Sequence, residues 1–374
     1  MIKIIYIVSN LTVGGAENVL LRLLSKIDKK KYDPLVISLV EKGKIGRKIE
    51  RLGIDVYCLG IYSFINLLPG LIKLVIKINI FNPKIIHTFM IHSAILGGII
   101  AKLLNRPTII WNIFTTNLSL KSNKYKTYLI IKICASLSRV VPNRIIVDSS
   151  ASYFAHKKAG YSYENMQIIN NGVDTSVFCP NELIRNEYRQ QYFKENELVI
   201  GLIARYHPVK RHDMFIKVAS LLKKKVNNIK FLLNGNNIEI SNSELMKMIN
   251  KKGIQDIIHL SDSKLEITDF LVACDILVSS SNFESFPNII CEAMACSIPC
   301  VVTNVGDCAK IVDDTGIIIE PNDPNALASA LMRLIKMSSK DRMQLGNNAR
   351  LRIENNFSLG LMVEKYNNLY NSFG

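Results

Sequence analysis

Short β-rich apolar runs, separated by helical patterns, recur from one end of this sequence to the other, and few folds accommodate that rhythm. In the first half the runs fall at residues 3–8, 35–40, 55–59, 85–88, 108–113 and 144–148. In the second half they fall at 198–204, 230–233, 257–260, 276–279, 300–303 and 317–319. Between the first two, Ala16, Val19, Leu20, Leu23, Leu24 and Ile27 share one face at helical spacing. Runs such as Ile-Lys-Phe-Leu-Leu at 229–233 and Asp-Ile-Leu-Val-Ser at 275–279 lack polar alternation, as parallel strands buried on both faces do. The pattern predicts an α/β chain with two doubly wound parallel sheets. A length of 374 residues agrees, because one ordinary core does not grow that large. The join is expected between Gly172 and Asn196, where the turn sequence Asn170-Asn171-Gly172-Val173-Asp174 is followed by a polar stretch at 181–196. Open parallel sheets take ligands beyond the carboxyl ends of their strands, so two facing sheets would enclose a cleft, and chemistry is sought there.

Composition narrows the function classes. Charged residues are 21% of the chain, and no Pro/Gly/Ser tract or like-charge block suggests a disordered tail. The eight cysteines (58, 134, 179, 274, 291, 296, 300 and 308) contain no C-x-x-C pair and sit mostly in apolar runs. They read as reduced, buried thiols of a cytoplasmic protein rather than a metal site or a disulfide framework. No uninterrupted apolar stretch reaches the length of a bilayer span, and residues 1–8 read as a first strand rather than a leader. Charge is lopsided: up to Thr175 there are 24 Lys+Arg against 9 Asp+Glu, a net of +15 of the chain's +16. Such a field favours an anionic partner, whether membrane, nucleic acid or phosphorylated substrate; a solubility surface is the plainer alternative.

Three segments carry chemistry. Glu284-Ser-Phe-Pro-Asn-Ile-Ile-Cys-Glu292 follows the run at 276–279 and the loop Ser280-Ser281-Asn282-Phe283. Pro287 marks a helix start, which puts Glu284 on the loop and Glu292 inside the helix, too deep to serve only the dipole. Both carboxylates then reach one ligand from different levels, and amides near Phe286, Pro287 and Asn288 favour an anion. A carboxylate accepting two hydroxyls suits a sugar diol. Second, Arg205 and Lys210 follow the run at 198–204 and can clamp a diphosphate and its developing charge, although a loop of this kind is often merely basic. Third, Gly14-Gly15 opens the first helix and permits close approach of a phosphate or sugar; it lacks the third glycine of a dinucleotide fingerprint.

In this order and spacing the three segments resemble glycosyltransferase family 4, the retaining group with the GT-B fold. The resemblance runs over nearly the whole chain, including Ile168-Ile-Asn-Asn-Gly-Val-Asp174, Glu292-Ala-Met-Ala-Cys-Ser-Ile-Pro-Cys-Val-Val302 and Asp323-Pro-Asn-Ala-Leu327. It implies two Rossmann-like domains, 1–173 for the acceptor and 174–357 for the nucleotide sugar, with a last helix near 358–374 packing back on the first. It further implies that Arg205 and Lys210 hold the donor diphosphate, that Glu292 takes the ribose hydroxyls and Glu284 the transferred hexose, and that amides at Phe286, beside Pro287 and at Gly15 complete the pocket. Transfer would retain configuration, with the departing phosphate as base, and would need neither metal nor cofactor; no D-x-D motif is present to hold a metal. One position departs from the family. Many relatives carry a histidine where this chain reads Ile110-Trp-Asn-Ile-Phe-Thr-Thr-Asn117, which leaves His87, His92 and Asn112 as the nearby groups for hexose or acceptor.

The implied function is hexosyl transfer from a UDP- or GDP-sugar to a lipid-linked or polysaccharide precursor in surface-glycan biosynthesis, of the lipopolysaccharide or O-antigen kind. For the basic half, an anionic inner-membrane surface is the expected partner, through 61–80 with Lys73 and Lys77, or through Lys121, Lys124, Lys126 and Lys132 around Tyr125 and Tyr128. A core helix with snorkelling lysines explains 61–80 equally well. Competing functions are a nucleotide-sugar epimerase or hydrolase on the same fold, or a non-enzymatic membrane-binding protein. No nucleic-acid motif is present.

Overall fold

The structure is a computed structural model that describes residues 1–104, 108–114, 118, 124–260 and 266–373. Thr115, Thr116, Asn117 and Lys121, named above, lie outside the described residues. The chain divides into two compact units, Met1–Gly172 with Leu359–Gly374, and Val173–Ser358.

The first unit holds a seven-stranded sheet: β1 Ile2–Val8, β2 Tyr32–Ser38, β3 Val56–Cys58, β4 Ile85–Phe89, β5 Thr108–Ile113, β6 Arg144–Val147 and β7 Met166–Ile168. The order is β3-β2-β1-β4-β5-β6-β7, every pairing parallel, so the strand order reverses between β1 and β4. Two elements go beyond the apolar runs. β2 starts at Tyr32 and includes Pro34, which cannot donate to a ladder and is tolerated because it lies ahead of the stretch paired with β3. β7 is a three-residue edge strand with the exposed Gln167 at its centre, so no unbroken apolar run marks it. One face is covered by the helices Gly15–Ser25, Gly43–Arg51 and Leu359–Asn371, the other by Leu67–Phe81, Ile91–Leu103 and Tyr125–Leu137. The last helix buries Leu359, Met362, Val363, Tyr366, Leu369 and Tyr370 in this unit, each worth about 1.5–3 kcal/mol of apolar burial.

One segment corrects the reading of the apolar runs. Phe64–Phe81 forms a continuous 18-residue helical rod of mean hydropathy 1.7, long and apolar enough to cross a membrane by length and composition alone. Only Gly70, Leu74 and Ile78 of its α-helical part are buried, against the sheet.

The second unit holds β8 Leu198–Ile203, β9 Ile229–Asn234, β10 Ile258–Leu260, β11 Ile276–Ser279, β12 Cys300–Thr303 and β13 Ile317–Ile319. The order β10-β9-β8-β11-β12-β13 is again all parallel and reverses between β8 and β11. The polar stretch before β8 is a helix, Glu182–Tyr192, capped by the Asn181 side chain, which accepts from the Ile184 amide at 3.1 Å. Its polarity serves a clamp: Arg185 (2.6 Å) and Arg189 (2.9 Å) both bind the Asp275 carboxylate ahead of β11. Burial alone would raise the Asp275 pKa, but the two guanidinium groups hold it below the ordinary value. Six of the eight free cysteines are buried, and desolvation pushes Cys134, Cys274, Cys296 and Cys308 up to about 12.

Candidate functional site

Both sequence segments singled out in the second unit emerge at its switch point, one after β8 and the other after β11. The chain leaving β8 stays pinned to the chain leaving β9, since the Ala204 amide donates to Asn234 O and the Tyr206 amide to Asn236 O, both at 2.8 Å. This closeness requires Gly235, whose φ is +146° and whose Cβ would lie 2.1 Å from the Ala204 carbonyl oxygen. Arg205 thus has a fixed backbone and an exposed side chain that makes no hydrogen bond or ion pair with described residues. One 3₁₀ turn, Pro208–Lys210, then brings the Lys210 ammonium to 2.5 Å from Glu284 Oε1.

The β11 loop is locked to the β8 loop through its own polar groups. The Asn282 amide donates to Val209 O and the Ser280 hydroxyl to Lys210 O, each at 2.8 Å. The Ser281 hydroxyl donates to Glu284 Oε1 at 2.6 Å, and Thr303 at the end of β12 donates to Ser281 O at 2.6 Å. A third loop presses from behind. Gly306 follows β12 at φ +57°, where a Cβ would stand 2.5 Å from Glu284 O and 2.8 Å from Ser285 O, and the Asp307 amide donates to Ser285 O at 3.1 Å. Glu284 is therefore held by the carboxyl-end loops of three strands. Its side chain and that of Lys210 are mostly buried, which strengthens their attraction relative to a surface pair.

Pro287, in extended conformation, leads into the helix Asn288–Ala295, which has no side-chain N-cap bond. Phe286 is buried against Phe357, 5.8 Å between ring centroids, and fixes the entry angle. Glu292 lies on the second turn of this helix, buried to 6% exposure. Arg205 and Lys210 on the β8 loop, Glu284, Phe286 and Pro287 on the β11 loop, and Asn288 and Glu292 on the helix that follows it thus belong to one unit. The local electrostatics are two cations, one of them uncommitted, two carboxylates and the positive end of a helix dipole.

A cavity of about 430 Å³ opens beside the β8 loop, lined by Tyr206, His207, Arg211, Glu244, Met248 and Asn282 among others. A larger one, about 740 Å³, lies at the amino ends of β8 and β11 around Arg185, Arg189 and Asp275. We assign the latter to structure. Its Arg185 and Arg189 are consumed by Asp275 and by the carbonyls of Val272, Ala273, Cys274 and Glu197, and sheets of this kind take ligands at the opposite strand ends.

The first-unit residues fare differently. Gly14 and Gly15 do follow β1 at that unit's switch point. The space over Gly14 is occupied by the chain itself: a Cβ there would lie 2.3 Å from the buried Glu17 carboxylate, whose pKa burial raises. Gly15 has nothing within 4 Å of a would-be Cβ. His87 and Asn112 require correction as hexose or acceptor contacts, because both are core residues at 0% and 1% exposure. His87 Nδ1 pairs with the Tyr370 hydroxyl at 2.9 Å, and Asn112 Nδ2 donates to the Tyr366 hydroxyl at 2.9 Å. Desolvation lowers the His87 pKa to about 3, so the ring is neutral. His92 is exposed on the first turn of Ile91–Leu103, after Met90, which sits at φ +75°.

Sequence reasoning missed Gly235, Gly306 and Arg211. The two glycines are foreshadowed by strand-end turn sequences, Asn234-Gly235-Asn236 and Val305-Gly306-Asp307. Arg211, at φ +54°, binds Asp213 at 2.8 Å and Asn282 at 3.3 Å and also meets Asn322, contacts no local pattern announces.

Comparison with known proteins follows the same division. Residues 13–177 match the family model "Glycosyltransferase Family 4" and residues 184–352 match "Glycosyl transferases group 1". The chain is 27% identical over 322 residues to the capsular polysaccharide biosynthesis glycosyltransferase CapM of Staphylococcus aureus, covering 82% of this chain and 81% of that one. It is 25% identical over 326 residues to the UDP-Gal:alpha-D-GlcNAc-diphosphoundecaprenol alpha-1,3-galactosyltransferase of Escherichia coli, covering 82% and 80%. Among solved structures, Anabaena HepE in complex with UDP-glucose superposes with a TM-score of 0.86 at 20% identity over the full length of both chains. TarM superposes at 0.76 and 17% identity, covering 99% of each chain. Two Rossmann-like parallel-sheet units, as in these structures, make this the GT-B fold.

Proposed function

This chain belongs to glycosyltransferase family 4, and we propose that it moves a hexose from a UDP- or GDP-sugar to a lipid-linked or polysaccharide precursor in the cytoplasm, as a step of surface-glycan biosynthesis. The observation that carries the reading is the triple lock on Glu284, which sets a carboxylate and Lys210 2.5 Å apart next to an uncommitted Arg205 at a switch point. A nucleotide-diphosphate sugar presents the complementary order of groups: a ribose diol, two phosphates and a polyol ring.

In this proposal Arg205 and Lys210 receive the diphosphate, Arg205 through its planar fork and Lys210 as a point charge. Both also offset the charge that grows on the leaving phosphate. Glu292 accepts the ribose hydroxyls and Glu284 those of the hexose, while the start of Asn288–Ala295 faces the anion. Transfer retains configuration, with the departing phosphate taking the acceptor's proton, and runs without a metal. The activities of the two relatives, capsular polysaccharide biosynthesis in one and galactosyl transfer from UDP-Gal to a diphosphoundecaprenol-linked sugar in the other, support this class of donor and acceptor.

The test is thermal stabilisation by UDP, GDP and other nucleoside diphosphates, with and without EDTA, on the native chain and on Glu292→Ala. Stabilisation by UDP or GDP, unchanged by EDTA and lost in the variant, is expected. No shift with any nucleotide, or an equal shift in the variant, would overturn the donor site.

A further inference from the structure

No step of the proposed transfer uses the cavity of about 430 Å³ beside the β8 loop, yet its walls are firmly built. One wall joins the loops after three strands. Arg211, after β8, forks onto Asp213 at 2.8 and 2.9 Å, reaches Asn282 after β11 at 3.3 Å and also meets Asn322 after β13. It does so from a left-handed backbone, φ +54°, which a residue with a side chain keeps only where its surroundings hold it. Another wall is aromatic. Tyr206 is half-buried, and its ring packs on that of His212 with 5.3 Å between centroids. His212 lines the cavity at 3% exposure. Neither of its ring nitrogens makes a hydrogen bond of ordinary geometry to a described residue, although the Ala204 carbonyl favours its charged form. A buried ring with unpartnered nitrogens at a cavity wall is a polar surface short of a partner.

The remaining groups are oriented by their other bonds. Asn282 Oδ1 accepts from Arg211, which leaves the Asn282 NH₂ to donate elsewhere. His207 Nδ1 accepts from the Val209 amide at 3.3 Å, so the neutral ring carries its proton on Nε2, again as a donor. Glu244, on the first turn of Ser243–Lys252, supplies an acceptor. Burial and this carboxylate together raise the pKa of the Tyr206 hydroxyl, which therefore stays protonated. Pro208, Met248 and the Tyr206 ring give apolar surface.

Charge restricts the ligand. Arg211 is the sole Lys or Arg among the lining residues and is committed to Asp213, while burial lowers His212 to about 4 and keeps it neutral. An anion would thus meet Glu244 with no free cation to offset it. A metal ion would find no group of three His, Cys, Asp or Glu among the described residues. A neutral pyranose fits both tests. Its hydroxyls accept from Asn282 and His207 and donate to Glu244, and its C–H face suits an aromatic ring. A volume near the low end of small-molecule pockets, about 300–1,000 Å³, suits so small a ligand.

We infer that this cavity is a second carbohydrate site, taking a neutral pyranose ring of the glycan apart from the donor hexose. A ring held here anchors the glycan on the donor unit and raises its local concentration for transfer. The inference rests on the family's sugar transfer for the supply of a ligand, and not on the residues proposed for the donor.

The experiment is saturation-transfer-difference NMR on the full chain, with glucose, galactose, mannose, rhamnose and N-acetylglucosamine as separate probes and UDP or GDP added to each. At least one sugar is expected to bind. Tyr206→Trp keeps an aromatic wall and places a fluorophore in it. Its emission should move on titration with that sugar, against the constant background of buried Trp111. Glu244→Gln, which removes the charged acceptor, and Met248→Trp, which fills the cavity, should each weaken binding about tenfold or more. Glu244 is exposed and Met248 half-buried, and an unaltered circular dichroism spectrum and melting point certify each fold. The methyl α- and β-glycosides of the sugar stand for a ring within a chain, and one of them should bind as the free sugar does. Loss with both would give the site to free sugar and overturn the glycan reading. No sugar bound, an unmoved emission, or variants that bind like the native chain would overturn the inference outright. Binding lost in Glu284→Gln but kept in Glu244→Gln would do the same, by returning the sugar to the donor site. Nucleotide stabilisation is read on the same samples, so failure of this site and failure of the donor site are separate results.

Discussion

Replacing Gly306 by alanine tests the claim that the loop after β12 holds Glu284 in place. Two costs add. Any L-residue at φ +57° occupies the left-handed region, which costs about 1–2 kcal/mol. The new Cβ would also stand 2.5 Å from Glu284 O, against an ordinary contact of 3.4 Å or more, and its neighbours are backbone rather than a flexible side-chain end. Overpacking of this kind costs about 1–3 kcal/mol. Gly253 is the matched control, with φ +60° and nothing within 4 Å of its would-be Cβ, so Gly253→Ala carries the conformational cost alone. Gly306→Ala should therefore lie about 1–3 kcal/mol below Gly253→Ala in denaturant unfolding, and several degrees below it in Tm. Relief of the clash pushes Glu284 and Ser285 off their positions, so stabilisation by a nucleotide sugar, whose hexose Glu284 takes in the proposed site, should fall in Gly306→Ala and persist in Gly253→Ala. If the two variants unfolded alike, or Gly306→Ala kept its full response to the nucleotide sugar, the lock on Glu284 would be refuted.

Asp275→Asn should destabilise the second unit by about 3–5 kcal/mol, because it leaves Arg185 and Arg189 without their common carboxylate in a mostly buried site. The Asp275 pKa is depressed when folded, so its contribution is present above the ordinary aspartate value of about 3.9 and is lost as pH falls through the lower folded value; urea midpoints of native and variant should converge there. Buried His87, His156 and His212, lowered to about 3, 4 and 4, protonate more readily unfolded than folded. Stability is therefore full above about pH 6.5 and falls below it, by about 2 kcal/mol per histidine at pH 5, measurable as a drop in urea midpoint between pH 7 and pH 5. Tyr370→Phe removes the hydroxyl that both His87 and Tyr6 use, and should cost about 1–3 kcal/mol in denaturant unfolding without altering nucleotide stabilisation.

Much of the architecture was legible because parallel strands buried on both faces write themselves as short unbroken apolar runs. All twelve runs coincide with strands, within a few residues at their ends. Missed or misjudged elements had a local signal too weak or ambiguous to read: β7 is interrupted by the exposed Gln167, and Glu182–Tyr192 is a helix whose polar face is spent on Asp275. In the site, Glu284 and Glu292 stood out through one contiguous motif on a loop and its helix, and Arg205 and Lys210 through their place after a strand. His87 and Asn112 misled for the converse reason. A polar residue near a strand's carboxyl end looks the same whether it faces a cleft or the Tyr366 and Tyr370 hydroxyls of a helix over 250 positions away.

By itself, then, the sequence determined twelve of the thirteen strands, the inward face of the first helix, and which loops carry charge to the ligand end of the second sheet. Those are local properties, set by side-chain periodicity and turn chemistry within a dozen residues. Only the tertiary structure decided that Lys210 meets Glu284 across 74 positions, that Gly235 and Gly306 press on neighbouring loops, and that the stripe Leu68–Ile72–Ile76–Ile80 stays uncovered while Leu74 and Ile78 are buried. Each of these depends on which elements the sheet order brings side by side, and apolar periodicity says that a face seeks cover without saying what supplies it.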